Sequence, residues 1–309
     1  MCIRDSLTFA HTGVDYSDFL KWSVANNIYE EDLLQYYPVW RENVEYIMKH
    51  NSKDTGYTLE INKFAHLTPD KLPKLGTFRA ASSLNKPLNQ YFDPPPEVDW
   101  RSKGVVTSVR NQGNTGCSVE IVFADVVSSF HAVETGQLVE YSVQQLIDCC
   151  TKDCNCEDTL LEPGRLAYCI KKHGGLCSNS DYPDHSNTSE CECLKCKGDK
   201  FVIQGVREVH SGNETALEYA VAMQPVMAGI DAGQKSFQLY HEGVYSDPLC
   251  SNTTLDHVLL VVGYGNYQGQ DFWLCKNSWG SNWGMNGYIM IARNHNNTCG
   301  IATAAYYPY

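Results

Sequence analysis

The cysteine content constrains this chain more than any other feature. The 309 residues include 14 cysteines, which are densest between Cys149 and Cys196. So many thiols are hard to keep reduced, and their density predicts disulfide bonds and an oxidising compartment. Spacings of the C-x-C and C-x-x-C kind, which also occur in zinc sites, are found at Cys154/Cys156 and Cys191/Cys193/Cys196. Because the usual histidine partners are missing, we expect disulfides, no metal site and no cofactor.

The overall composition is that of an ordinary globular protein, with 43% hydrophobic and 19% charged residues. The formal net charge of −12 excludes a general electrostatic attraction to nucleic acid or to an anionic lipid surface. The longest apolar run, around His257–Val262, is far shorter than the roughly 20 residues of a membrane-spanning helix. We therefore expect no nucleic-acid partner and no membrane span.

The first six residues, MCIRDS, resemble the translation of a transposase adaptor used in preparing sequencing libraries. We therefore exclude residues 1–6 from the fold and expect that the natural N-terminus, with any signal peptide, was cut away. Sequons of the N-x-[ST] type, at Asn187, Asn213, Asn252 and Asn296, agree with secretion. Cysteines and sequons together predict a protein of the secretory pathway, in a lysosome-like compartment or outside the cell.

Residues 7–79 carry a mainly helical pattern. Apolar side chains recur at helical spacing from Tyr16 to Asn51 and predict two helices, with Pro38 expected to kink or delay the second. The following segment, YTLEINKFAHLTPD, alternates in the way a short strand does. From residue 80 to 97 the periodicity is lost, and Ser, Asn and a Pro94–Pro96 run predict a linker.

Residues 98–309 separate helices from strands. Helices are predicted at Ser118–Thr135, Ser142–Asp148 and Glu214–Met223, and strands at Val226–Ile230, Val258–Tyr264, Phe272–Lys276 and Tyr288–Ala292. Helices first and strands later favour an α+β domain.

Polar and aromatic residues stand together in three unusual strings, VDWRSKGVVTSVRNQG, LDHVLLVVGYG and KNSWGSNWGMNGY. Taken singly, Gln112 fits a turn residue, His257 a buried strand histidine and Asn277 a capping amide. In this order the strings closely resemble the papain family of cysteine peptidases, in particular its cathepsin L-like branch, from Val98 to the C-terminal YYPY. The resemblance implies a two-lobed fold with a helical lobe and a β-barrel-like lobe.

The resemblance also implies a role for each polar residue. Gln112 corresponds to the amide of the oxyanion hole, and His257 to the imidazole partner of the nucleophile. Asn277 corresponds to the residue that orients the imidazole, and Trp279 to the indole that shields it. A histidine exchanges a proton near neutral pH, an amide donates to a developing oxyanion, and asparagine fixes an imidazole without adding charge.

Ser118 corresponds to the nucleophilic cysteine of the family. The family string Q-G-x-C-G-S-C-W, aligned on Gln112, puts Thr115 in place of a disulfide cysteine and Cys117 in place of a small residue. Counting back without a gap from Cys149, in YSVQQLIDC, also arrives at Ser118. A papain-type site holds a thiolate with a pKa of about 3–4, and a hydroxyl is far less acidic. The resemblance therefore predicts a peptidase homologue with impaired proteolysis.

Two alternatives to an impaired peptidase stay open at the level of sequence. An active thiol peptidase would need Cys117 as its nucleophile, through a local shift of the helix start. A serine-based activity would resemble that of the silica-forming silicateins, which also carry serine at this position, although nothing specific indicates silica chemistry.

Peptide-binding positions are implied by the resemblance as well. Those of an apolar side-chain pocket correspond to Leu161, Gly229, Leu255 and Val258. The family's C-N-G-G string, whose glycines let a substrate backbone lie close, is replaced here by Cys-Glu-Asp-Thr. Asp158 and Thr159 therefore bring side chains to the substrate-binding position. We expect the recognition of a peptide or protein ligand to survive.

The N-terminal part resembles the inhibitory propeptide of the family. The motif E-x3-R-x3-F-x2-N-x3-I-x3-N matches at Asn43, Ile47 and Asn51 and is substituted at Asp32, Tyr36 and Trp40. Of the motif G-x-N-x-F-x-D, only Asn62 and Phe64 match, while Glu60 and His66 are substituted. A generic helical hairpin is the alternative. Position and length favour an intramolecular inhibitor at 7–79, a processing region at 80–97 and a peptidase domain at 98–309.

The resemblance implies the disulfides Cys149–Cys191 and Cys250–Cys299. A third family bridge would join Cys156 to position 115, which is threonine here. We expect Cys117 to take the place of the missing partner. Cys275 is expected to be a buried free thiol.

Overall fold

The computed structural model describes residues 15–29, 32–72, 92–113, 115–151, 154, 156, 163–184 and 193–309. Predictions that concern residues outside these ranges are those for residues 1–6, Asp158, Thr159, Leu161, Cys191, Asn187 and most of the linker at 80–97.

Two helices rich in aromatic residues open the described chain. Helix α1 spans Tyr16–Ala25, and helix α2 spans Leu33–Asn51. They pack through Phe19 and Trp40, which are fully buried, with ring centroids 5.4 Å apart. Of the expected kink or delay at Pro38 the delay does not occur, because helix α2 begins before Pro38 and continues through it. A proline in a helix removes one backbone donor, and the aromatic packing of α2 stabilises the helix in spite of that loss.

The chain leaves α2 and returns along it as strand β1, Tyr57–Leu59. The Asn51 side chain holds this return by donating to the Leu59 carbonyl at 2.8 Å and accepting from the Leu59 N–H at 2.9 Å. Asn43 is fully buried and donates from Nδ2 to the Ala65 carbonyl at 2.9 Å. These two amides satisfy backbone groups that no helix or strand would satisfy.

The rest of the chain supplies the other helices and strands. The first group is β2 (Val98–Asp99), α3 (Ser118–Thr135), α4 (Val143–Cys150), α5 (Pro163–Lys172), β3 (Leu176–Cys177), β4 (Lys200–Phe201) and β5 (Val206–Glu208). The second group is α6 (Glu214–Met223), β6 (Val226–Ile230), α7 (Lys235–Gln238), β7 (Tyr240–Tyr245), β8 (His257–Tyr267), β9 (Gln270–Lys276), β10 (Tyr288–Ala292) and β11 (Ala305–Pro308). Within the described ranges, none of the helices is both long and apolar enough to cross a membrane.

Helix α3 is the centre of the helical lobe. Every residue from 118 to 129 is buried, and the helix packs against α4, α5 and β8. It ends at Gly136, whose φ of 76° is the left-handed conformation that glycine adopts without strain. The core on this side is formed by apolar residues of α3, α4 and α5 together with one face of the sheet.

Nine strands form one sheet, in the order β1-β7-β10-β9-β8-β6-β11-β5, with β2 also paired to β8. Strand β8 lies in the interior of this sheet and is buried from residue 257 to 265. Among the described residues the two edge strands, β1 and β5, do not pair with each other. The second lobe is therefore an open sheet and no closed barrel, while the two-lobed α+β architecture is confirmed.

Strand β1 adds the N-terminal segment to this sheet by pairing antiparallel with β7. Tyr57 lies opposite Gly243, and Thr58 opposite Glu242. A side chain at position 243 would collide with the carbonyl oxygen of Gly56, and its φ of 94° favours glycine. The close approach of the two strands thus depends on a residue without a Cβ.

Candidate active site

The loop ahead of α3 is fastened to the turn that follows β9. The Gln112 N–H donates to the Ser278 carbonyl at 2.8 Å, and Ser278 Oγ donates to Gln112 Oε1 at 2.7 Å. Gln112 Nε2 donates to the Thr115 carbonyl at 2.9 Å. A side-chain amide has two N–H hydrogens, so this contact leaves one for another acceptor. The carboxamide is therefore held in one orientation just before α3.

An imidazole and an amide meet where β8 begins and β9 ends. His257 is the first residue of β8, and Asn277 directly follows Lys276, the last residue of β9. His257 Nε2 lies 2.8 Å from Asn277 Oδ1. An amide oxygen only accepts, which assigns the proton to Nε2 and leaves a lone pair on Nδ1. Asn277 Oδ1 also accepts from the Ser278 N–H at 2.7 Å, which fixes its orientation.

Burial determines the charge of this imidazole. His257 has no exposed surface, and desolvation lowers its pKa to about 4, while the hydrogen bond with Asn277 acts in the opposite direction. The ring is therefore neutral at pH 7 and can accept a proton only at Nδ1.

Aromatic rings cover the pair formed by His257 and Asn277. The Trp279 ring lies 5.2 Å from the His257 ring and 5.4 Å from the Phe237 ring, centroid to centroid. Phe64, from the N-terminal segment, packs edge-on against Trp279 at 5.2 Å. These rings exclude water from the imidazole and keep its hydrogen bond to Asn277 in a low-dielectric environment.

Ser118 is the first residue of α3 and is fully buried. Within the described part of the chain, Ser118 Oγ, His257 Nδ1, Asn277 Nδ2 and Trp279 Nε1 have no hydrogen-bond partner. The hydroxyl and the imidazole are therefore not hydrogen-bonded to each other here, although α3 packs against β8. Buried polar atoms are normally paired, and a group of unpaired ones is typical of a site that awaits a ligand or a reaction.

The N-terminal segment lies across this site. Asn62 Nδ2 donates to the Gln238 carbonyl at 2.8 Å. Gln238 Nε2 in turn donates to the carbonyls of Phe64 and Leu67, both at 2.8 Å. Lys63 Nζ reaches Asn111 Oδ1, next to Gln112, at 3.3 Å. The segment after β1 is thus bound from both sides of the candidate site.

Comparison with known proteins gives the same picture. Residues 94–309 match the papain family cysteine protease profile, and residues 19–72 match the cathepsin propeptide inhibitor domain (I29). The chain belongs to the papain family of cysteine proteases.

Relatives of this papain-family chain include a cysteine proteinase and a cathepsin. Cysteine proteinase 3 of Dictyostelium discoideum is 37% identical over 97% of this chain and 92% of that protein. Cathepsin L2 of Homo sapiens is 37% identical over 87% of this chain and 84% of that protein. The crystal structure of the proform of Amb a 11, a ragweed pollen cysteine protease, superimposes with a TM-score of 0.84. It is 32% identical and covers 94% of this chain and 93% of that one. The N-terminal segment is therefore the propeptide of a cathepsin L-like proform.

One cavity of the protein lies away from the papain-family site. A cavity of about 900 Å³ is lined by residues that include Trp100, Arg101 and Tyr264, and by none of the candidate catalytic groups. Phe64 packs against Trp279, beside the pair formed by His257 and Asn277.

Three residues of the predicted apolar pocket lie together. Gly229 in β6 is opposite Val258 in β8, and Leu255 precedes β8. Leu255 and Val258 are 2% and 1% exposed and belong to the core on the side of the helical lobe. Their use as a pocket stays a prediction, since its fourth predicted member, Leu161, lies outside the described residues, as do Asp158 and Thr159 of the substrate-binding position.

Cys117 is bonded to Cys156, with an S–S distance of 2.03 Å. The bond Cys250–Cys299 is also present, and Cys275 is buried and free. These three predictions are confirmed.

The predicted bond Cys149–Cys191 was wrong. Cys149 is bonded to Cys193, with the Cα atoms 4.8 Å apart, which is within the range for a disulfide. In the string C-E-C the two cysteines are two residues apart, and the family resemblance alone does not decide which one reaches Cys149. Two further bonds, Cys150–Cys169 and Cys177–Cys196, were not predicted.

Sequence reasoning missed a buried ionic network that includes Lys276, the residue before the candidate site residue Asn277. Lys276 Nζ contacts Asp125 Oδ2 at 2.8 Å and Thr107 Oγ1 at 2.6 Å. Arg110 Nε contacts the other oxygen of Asp125 at 3.1 Å. Burial lowers the pKa of Lys276, and Asp125 opposes that shift. Asp125 lies on the apolar helix α3. An aspartate within an apolar helix is the one feature of the sequence that could have indicated a buried cationic partner.

Proposed function

We propose that this protein is the zymogen of a cathepsin L-like peptidase homologue in which Ser118 occupies the nucleophile position. The observation that carries the proposal is the start of α3 at Ser118, in the register obtained by counting back from Cys149 in the sequence. A nucleophile at the first residue of a helix lies in the positive field of the helix N-terminus, which favours a developing negative charge.

The disulfide of Cys117 supports serine as the nucleophile. An active thiol peptidase needs a free thiolate, and Cys117, the alternative nucleophile, has its sulfur in a bond to Cys156. With serine, the neutral His257 has to remove a proton from a weakly acidic hydroxyl during attack. Loss of the proper nucleophile in a serine peptidase of another fold lowers kcat by on the order of 10⁶. We therefore infer strongly impaired proteolysis.

Binding is the function that this arrangement retains best. Gln112, Asn277 and Trp279 keep the roles of oxyanion donor, orienting amide and indole shield, and none of these roles depends on a thiol. Strand β7 already pairs with an extended segment of the propeptide. We infer that, once the propeptide has left, the cleft binds a peptide or a segment of a protein.

The test of this proposal is peptide turnover by the processed protein on a fluorogenic peptide that contains Leu or Phe. We expect the processed wild type and its Cys117→Ala variant to be equally inactive, at the level of the uncatalysed control. Thiol-dependent turnover by the wild type that disappears in Cys117→Ala would refute the assignment. Turnover that is insensitive to thiol blockers and lost in Ser118→Ala would instead establish serine-based catalysis.

The domain limits are part of the proposal. We infer a propeptide at 7–79 that acts as an intramolecular inhibitor, a processing region at 80–97 and a peptidase-like domain at 98–309. The disulfides support a location in the secretory pathway, in a lysosome-like compartment or outside the cell.

Acidification is expected to release the propeptide. Two ion pairs join it to the second lobe: Glu42–Lys235 at 2.7 Å and Glu60–His241 at 2.8 Å. Hydrogen bonds from Lys235 and His241 lower the pKa of Glu42 and of Glu60 below the usual 4.5. A lowered acid pKa means that the contact stabilises above about pH 4.5 and is lost as the pH falls through the folded-state value. The raised pKa of His241 works in the other direction, and its contribution is lost as the pH rises above 6.5.

Limited digestion of the proform with an acid-tolerant protease, followed by N-terminal mapping, measures this release. We expect a stable fragment that begins near Val98 and accumulates below about pH 4.5. The double variant Glu42→Gln/Glu60→Gln should move its appearance to higher pH. Glu45→Gln, whose exposed pair with Arg41 stays within the propeptide, is the matched control and should not. Cleavage inside α3, or equal pH profiles for all three proteins, would contradict the prediction.

A further inference from the structure

Glu120 is a buried acid that the peptidase chemistry does not use. It lies in the first turn of α3 and has no exposed surface. Among the described residues, neither of its carboxylate oxygens has a hydrogen-bond partner. Leaving a carboxyl group in this state is costly in the folded protein, and such a group calls for a chemical explanation.

The two sulfurs of a disulfide lie near the Glu120 carboxyl group. A carboxylate oxygen of Glu120 and the Sγ atoms of Cys117 and Cys156 all lie within 4.8 Å of one another. Cys117 is the residue that caps the N-terminus of α3. A thiolate at a helix N-terminus is stabilised by the helix dipole. The disulfide thus has a good leaving sulfur on one side and an acid beside both sulfurs.

Burial adjusts this acid for proton transfer near neutral pH. Desolvation raises the pKa of Glu120 to about 7, its own backbone N–H acts in the opposite direction, and no charged side chain of the described ranges contributes. Cys117 and Cys156 are buried, with 8% and 6% of their residue surface exposed.

We propose that Cys117–Cys156 is a redox-active disulfide that a small dithiol reduces, with Glu120 as the group that gives and takes the proton. This inference goes beyond the peptidase-like function and does not depend on the role of Ser118.

The exchange balances without any other reactant. A thiolate of the dithiol attacks Cys156 Sγ, the S–S bond breaks, and its electron pair leaves on Cys117 Sγ, which takes the proton of Glu120. The second thiol of the dithiol gives its proton to the Glu120 carboxylate and attacks the sulfur already joined to Cys156. Cys156 leaves as a thiolate and takes that proton. The dithiol is oxidised to its cyclic disulfide, and the protein disulfide is reduced to two thiols.

The experiment compares two disulfides in the same molecule. The intact proform is treated briefly with dithiothreitol from pH 5.5 to 8.5, quenched with iodoacetamide, and the alkylation of Cys117 and of Cys250 is measured by peptide mass spectrometry. Cys250–Cys299 is the internal control, because no acidic group of the described residues joins it in a cluster of this kind. The ratio of the two rates cancels the pH dependence of the dithiol itself.

In the wild type we expect the ratio of Cys117 to Cys250 reduction to be high below about pH 7 and to fall as Glu120 ionises above it. Glu120→Gln keeps the size of the side chain but cannot transfer a proton. We expect this variant to lower the ratio at pH 6 by at least about tenfold, which is less than the rate enhancement that a general acid typically provides. The variant's ratio should not change with pH. A ratio that is the same in both proteins, or that has no pH dependence in the wild type, would overturn the proposal. General loosening by the substitution would speed up both disulfides and is recognised from the control.

Discussion

Replacing Ser118 by cysteine is expected to raise peptide turnover of the processed protein by at least about 10³-fold. This gain is smaller than the loss of kcat, on the order of 10⁶, that follows removal of the nucleophile in a serine peptidase. The new thiol would lie at the N-terminus of α3, where the helix dipole and an imidazole lower a thiol pKa. His257 Nδ1 has no partner in the described residues and is available to take the thiol proton. We expect the recovery to be incomplete, because Val119 and the Asp158–Thr159 pair differ from the family pattern and Glu120 adds an acid in the same turn.

Ser118→Ala is the matched control for this gain. It should have the same turnover as the wild type, because we infer that the hydroxyl contributes little to peptide hydrolysis. The gain in Ser118→Cys should also depend on His257, so that the double variant Ser118→Cys/His257→Ala returns to the wild-type level. A Ser118→Cys variant that folds, is processed and stays inactive would show that position 118 is not the nucleophile position.

Removing the carboxylate of Asp125 is expected to cost about 3–5 kcal/mol of the free energy of unfolding, as for other broken buried ion pairs. The Asp125 and Lys276 side chains are 3% and 1% exposed, so Asp125→Ala leaves an ammonium group buried without its partner. Arg110 loses the same partner. Because Lys276 directly precedes Asn277, we expect the damage to reach the candidate active site as well.

Urea unfolding of the proform, read from the midpoint at constant slope, measures this loss. The matched control is Glu45→Ala, which breaks a pair with Arg41 in which both side chains are more than half exposed. Exposed pairs contribute between nothing and about 1 kcal/mol. If Asp125→Ala cost no more than the control, the buried network would not stabilise the fold as inferred.

Periodicity predicted four of the regular elements with their observed bounds. The helices at Ser118–Thr135 and Glu214–Met223 and the strands at Val226–Ile230 and Tyr288–Ala292 have the predicted bounds. These segments are long or apolar enough for local pattern to determine them. The strand that contains His257 begins one residue earlier than predicted. The prediction followed apolar residues, and such a pattern leaves out a polar residue at the strand end even where that residue is fully buried.

Contacts between distant segments could be predicted only through the family resemblance, and then only in part. The resemblance pointed to His257 and Asn277, and the structure brings them to 2.8 Å. It selected the wrong cysteine for Cys149, since two candidates stood two residues apart. It gave no indication that Asp125 would pair with Lys276, because a pairing across 151 positions of sequence leaves no local pattern.

The pairing of β1 with β7 was also beyond the sequence pattern. Only three residues form β1, and strands this short depend on their neighbours more than on their own propensity. Gly243 allows the close approach of β1. The need for glycine at this position can be explained only from the paired strands and not from the sequence of either strand.

The intact mass of the processed protein after treatment with iodoacetamide, without reductant, tests the inferred loss of the thiol nucleophile most directly. We expect the wild type to gain no adduct at Cys117 or Cys275, because the sulfur of Cys117 is bonded to Cys156 and the Cys275 thiol is buried, with a pKa that burial raises. Ser118→Cys should gain one adduct, mapped to position 118. An adduct on Cys117 of the wild type, accompanied by a loss of peptide turnover, would contradict the assignment and identify an ordinary thiol peptidase.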